Sequence, residues 1–115
     1  MKEFGFSDVS YEVAKRANFK CEYCGFNIFE SVYTYELFQI DHIMPISRGG
    51  SDTIENYALA CKLCNRIKRN YIYDVNYSNR NETINFIKER MKEEINLRDE
   101  KFTRMMKVIK EEMNV

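Results

Sequence analysis

Histidine is nearly absent from these 115 residues: His42 is the only one, so any chemistry needing a neutral imidazole at physiological pH has a single candidate. Net charge is absent too, with 18 basic and 18 acidic side chains, which excludes the global positive footprint of a strongly basic nucleic-acid binder. No stretch approaches the roughly 20 apolar residues of a membrane helix, and the start MKEFGFSDVS has no basic segment leading into an apolar run. These absences predict a cytoplasmic protein with no membrane partner, in a compartment where thiols stay reduced. Low-complexity tracts are missing, as are helix-turn-helix and finger-array patterns, and only one short motif repeats. The length predicts one small domain whose modest core calls for a supplementary staple.

Four cysteines can supply that staple. They fall as Cys21-x-x-Cys24 and Cys61-x-x-Cys64. An even count would also fit two disulfides of a secreted mini-protein, but nothing else here points to secretion. A redox reading of Cys-x-x-Cys needs a thioredoxin-like βαβ context, which is missing, and the second copy favours a four-thiolate zinc site. The two knuckles lie 36 residues apart, more than in a simple zinc ribbon, so a sizeable unit is inserted between the halves of the site. Metal would then close a loop whose chain entropy otherwise opposes order.

Read in order, Ser7 or Asp8 caps a helix over roughly 8–17, with Val9, Val13 and Ala17 on its packed side. Gly25 serves the tight turn after the first knuckle. From Ser31, the residues Val32, Tyr33, Tyr35, Leu37, Phe38 and Ile40 predict extended structure as far as His42. Pro45 must leave the strand, and 47–52 reads as a loop around Gly49 and Gly50. A short strand is expected at 57–60, and a helix from Cys64 onward. Between Tyr57 and Tyr73 every charged residue is basic (Lys62, Arg66, Lys68, Arg69), giving a positive face near the second knuckle, or simply a solvated helix. After 74–78 the composition changes. Asn79 with Glu82 resembles a capping box, followed by Ile84, Ile87, Met91, Ile95, Phe102, Met105, Met106, Ile109 and Met113 at helical spacing. One helix or two, broken near 96–99, both fit, and the stripe either packs on the core or makes a homodimer.

Hydrolysing a phosphodiester near neutral pH needs an activated water, relief of charge on the phosphate, and help for the departing oxygen. His42 can take the water's proton. A hard divalent ion can meet the other needs, with Asp41 supplying a charged oxygen and Asn65 a carbonyl oxygen. Neighbouring strand residues point to opposite faces, so Asp41 and His42 can share a site only where the strand twists or ends.

The run Asp41-His42-Ile43-x-Pro45-x-Ser47-x-Gly49-Gly50-x-Asp52, then Asn56, then Cys61-x-x-Cys64-Asn65-x-x-Lys68, resembles the HNH endonuclease family, whose shared unit is the ββα-metal fold. The likeness covers Cys21 to Arg69 and includes the knuckles of the four-cysteine branch. It implies a ββα-metal core at about 37–70 beside the structural zinc site, and with the N-terminal helix and helical C-terminal extension read above the expected fold class is α+β. A nuclease domain would occupy 1–78 and the extension 79–115. It implies His42 as general base, Asp41 as metal-binding carboxylate, and Asn56 as the residue that braces the loop and orients the base. Asn65 stands where many members have histidine, making an H-N-N variant and favouring Mg2+ or Mn2+ over a transition metal in the active site. Arg66 and Lys68, with Lys62, Arg69 and Arg48, would hold nucleic-acid phosphates. The implied partner is DNA, with RNA not excluded. The competing reading is a non-catalytic zinc-stabilised nucleic-acid-binding module.

Overall fold

A computed structural model describes residues 1–69 and 79–113; the expected domain boundary after residue 78 and the segment 74–78 lie outside them. Helix α1 spans Asp8–Arg16. Ser7 is its cap, accepting the Ser10 N–H at 3.1 Å. Val13 and Ala14 are its buried residues, whereas Val9, expected on the packed side, is exposed. Asn18 and Phe19 both take positive φ and turn the chain from α1 into the first knuckle.

Extended structure does not begin at Ser31. Val32–Tyr35 instead forms a single helical turn, α2. Its cause is a local capping box: Ser31 Oγ accepts from the Thr34 N–H, and Thr34 Oγ1 accepts from the Ser31 N–H. This pair outweighs the β preference of Val32 and Tyr33, whose side chains face solvent. Strand β1 is Phe38–His42 and strand β2 is Tyr57–Cys61. They pair antiparallel with Phe38 opposite Cys61 and His42 opposite Tyr57. Helix α3, Lys62–Arg69, follows β2 directly and starts before Cys64, so Cys64 lies inside the helix rather than at its start.

Helix α4 is one unbroken helix, Arg80–Glu112, with the Asn79 side chain accepting the Glu82 N–H at 2.9 Å. Its apolar stripe divides. Ile84, Ile87 and Met91 are buried against the core, while Leu97, Phe102, Met105, Val108 and Met113 are exposed. At about 1.5 Å per residue the helix is about 50 Å long, which sets the molecule's longest dimension of 52 Å.

Two clusters position the site. Ala58, Leu59 and Ala60 of β2 are fully buried with Val13, Ile28, Ile67, Ile87 and Met91, so the strand preceding α3 is covered on both faces. Rings of Phe6, Tyr11, Phe19, Phe29, Tyr35 and Phe38 pack with neighbouring centroids 5.1–6.3 Å apart, fixing the start of β1. The architecture is α+β, a small ββα core beside a four-cysteine cluster. No described helix is long and apolar enough to cross a membrane.

Candidate active site and metal centre

The knuckles meet because the first one docks on β2: the Glu22 N–H donates to the Leu59 carbonyl, and Glu22 Oε2 accepts the Leu59 N–H, both at 2.8 Å. Gly25, at φ +80°, completes the turn by returning its N–H to the Cys21 carbonyl at 2.8 Å. The four sulfur atoms of Cys21, Cys24, Cys61 and Cys64 then lie within 4.8 Å of one another. All four are free thiols. The Cys24 and Cys61 sulfurs are 3.8 Å apart, far beyond a disulfide bond and close to the edge of a tetrahedron with Zn–S bonds of about 2.3 Å. The Cys64 N–H points at the Cys61 sulfur at 3.4 Å. Packed together, the thiols cannot all ionise alone: hydrogen bonds from Cys24, Cys61 and Cys64 lower Cys21, while hydrogen bonding with Cys21 raises Cys64. A dication removes that conflict by giving each thiolate an opposite charge. The donor set fits zinc.

Strand β1 ends at His42, which frees the pleat to turn and lets Asp41 and His42 line one cleft of about 490 Å³. Asn65, Lys68 and Arg69 of α3 form its other wall, and Arg48 reaches it from the loop. Asp41 Oδ2 accepts from the Tyr23 hydroxyl at 2.5 Å and pairs with the Lys68 ammonium at 3.0 Å. Burial, then the Asp41 charge, pushes the Tyr23 phenol well above its ordinary pKa. Lys68 also donates to the His42 carbonyl at 2.8 Å and is buried. The Asn65 amide nitrogen donates to Gln39 Oε1, which leaves the Asn65 carbonyl oxygen available to a cation.

The His42 ring meets Asp52 rather than Asn56: Nε2 is 2.9 Å from Asp52 Oδ1. Asp52 Oδ1 also accepts the Tyr57 hydroxyl at 2.6 Å, and the Tyr57 ring stands edge-on to the imidazole at 5.2 Å. Hydrogen bonds from His42, then Tyr57, hold the Asp52 carboxyl below its ordinary pKa. Asn56 works on the loop instead. Its Oδ1 accepts the Met44 N–H at 2.9 Å, and its Nδ2 donates to the Met44 and Ser51 carbonyls at 2.9 and 2.7 Å. Gly50 lies so close to this bracing that an added Cβ would sit 1.9 Å from the Met44 carbonyl oxygen.

The family model of the HNH endonucleases matches residues 21–71, the knuckles and everything between them. The chain carries an HNH endonuclease domain. It is 31% identical over 97 residues to YoqL, an SPbeta prophage-derived protein of Bacillus subtilis whose name assigns it to the HNH endonucleases. That match covers 78% of this chain and 40% of YoqL. The CRISPR-associated endonuclease Cas9 of Corynebacterium diphtheriae is 36% identical over 61 residues, covering 52% of this chain and 5% of Cas9. The chain thus spans less than half the length of either relative. No solved structure matches it.

Within the HNH domain, the expected site residues sort by position. Asp41, His42, Asn65, Lys68, Arg69 and Arg48 share the cleft. Lys62 and Arg66 are exposed on α3 and are not among the residues lining it. Sequence reasoning missed Tyr23, Gln39 and Tyr57, because nothing in the sequence shows that a knuckle residue or a strand tyrosine reaches the site. Asp52 was visible in the motif without a partner to give it a role.

Proposed function

We propose that the chain is a metal-dependent HNH endonuclease that hydrolyses phosphodiester bonds in DNA. The observation that carries this reading is the convergence of Asp41, His42 and Asn65 on one cleft with basic residues at its rim. His42 is the general base, taking the proton of the attacking water. Asp41 Oδ1 and the Asn65 carbonyl oxygen are the protein ligands of a magnesium or manganese ion, which when bound supplies charge neutralisation at the scissile phosphate and the departing oxygen. Tyr23 and Lys68 hold Asp41 in place through its other oxygen. Arg48 and Arg69 at the cleft, with Lys62 and Arg66 along α3, meet the phosphates of the strand on either side. Asn56 keeps the loop in the shape that presents the base. Zinc on the four cysteines has a structural part only, fastening the two ends of the segment that carries the site.

Plasmid cleavage in magnesium tests the proposal, comparing wild type with His42→Ala at equal zinc content. Loss of a general base should lower the rate about 100-fold or more. Equal cleavage by the two proteins would sink the catalytic reading in favour of a zinc-stabilised module that only binds nucleic acid.

A further inference from the structure

The geometry points to Asp52 as the positioning residue of His42: its carboxylate, anchored by the Tyr57 hydroxyl, holds the Nε2–H of the imidazole and so presents Nδ1 as the basic nitrogen. This inference rests on the nuclease reading above for its catalytic meaning, though not for its structural content. Three observations carry it. First, Asp52 Oδ1 is within hydrogen-bond distance of Nε2 at 2.9 Å, and an ionised carboxylate can only accept, so Nε2 must be the donor. Second, the same oxygen receives the Tyr57 hydroxyl at 2.6 Å, and Tyr57 is paired with His42 across the sheet, so ring and carboxylate are referenced to one frame. Third, Nδ1 makes no hydrogen bond among the described residues, while His42 is one of the residues lining the cleft with Asp41 and Asn65.

Asp52 reaches His42 because of the loop between the strands. Gly49, at φ +88°, reverses the chain after the 3-10 turn Ile46–Arg48, and Asn56 ties Ser51 and Met44 together, which sets Asp52 opposite the end of β1. A carboxylate at this position does what a third group does for any oriented base: it selects one tautomer and one ring orientation. Asp52 is substantially exposed, with 70% of its side-chain surface accessible, so its worth lies in orientation rather than in stability.

His42 is the only histidine, which makes its ring directly observable in protein labelled with 15N at imidazole. With the ring neutral, wild type should show a downfield proton attached to Nε2 and protected from exchange. Asp52→Ala should lose that resonance, and Asp52→Asn, which keeps an acceptor oxygen, should retain it. In plasmid cleavage Asp52→Ala should lower kcat about tenfold or more with KM unchanged, and Asp52→Asn should recover part of the loss. A protected proton on Nδ1 in wild type, or an unchanged Nε2 resonance in Asp52→Ala with the same zinc content, would overturn the assignment. If wild type does not cleave, the nuclease reading fails while the resonance still decides what Asp52 does.

Discussion

Tyr23 sits in the middle of the first knuckle, yet its hydroxyl ends on the carboxylate of Asp41, so one residue joins the metal cluster to the cleft. Its phenol is buried and its pKa is raised, so the sign of its contribution is fixed. The stability it provides is complete below the unfolded tyrosine value of about 10 and is lost as pH rises through the folded value. Tyr23→Phe should therefore lower stability at neutral pH by about 1–2 kcal/mol, the cost of the missing hydrogen bond. The variant should also lose less stability than wild type, by up to about 1.4 kcal/mol per pH unit, on going above pH 10. Denaturant melts of both proteins between pH 7 and 11 check this, and parallel alkaline slopes would refute it. The candidate site residues were legible in the sequence because their types and order are unusual: Asp41, His42, Asn56 and Asn65 stand in a fixed sequence around two knuckles. Their supports were not. Tyr23, Gln39, Asp52 and Tyr57 come to the site through tertiary placement across 5 to 26 residues, which no local pattern encodes.

Periodicity and capping chemistry made the helices and both strands readable, and the exceptions have local causes. A Ser31–Thr34 capping box formed a helical turn where β-branched and aromatic residues suggested a strand, because Val32 and Tyr33 had no core to pack against. In α4 the sequence shows an apolar stripe that pauses between Ile95 and Phe102 and then resumes, and the core is only long enough to cover its first half. The two halves should respond differently to truncation. Met91→Ala, at a fully buried position, should cost about 2–5 kcal/mol. Phe102→Ser, where 54% of the residue is exposed, should stay within about 0.5 kcal/mol in the monomer. Chemical denaturation of the two variants separates these outcomes. Sedimentation of the Phe102→Ser protein addresses the homodimer at the same time: a wild-type mass of two chains that falls to one would place the contact on this half of α4, and a single-chain mass in both would exclude it.

At the scale of the whole molecule, α4 is fastened where it begins. Arg80 donates to Glu22 at 2.7 Å and to the Tyr57 carbonyl at 3.0 Å, joining the long helix to the first knuckle and to β2 in one contact. The cluster of thiols, the cleft and the root of α4 are therefore neighbours around a single strand. The four-cysteine clamp also has a topological meaning. With metal bound, the polypeptide from Cys21 to Cys64 is a hoop, and a hoop cut once is still one piece. Trypsin cleavage after the exposed Arg48 should leave two fragments that travel together through gel filtration. A zinc chelator should release them, and release without chelator would contradict the clamp. The segment that carries Asp41 and His42 is thus tethered at both ends, so a single break in its loop need not scatter the residues that stand on its two arms.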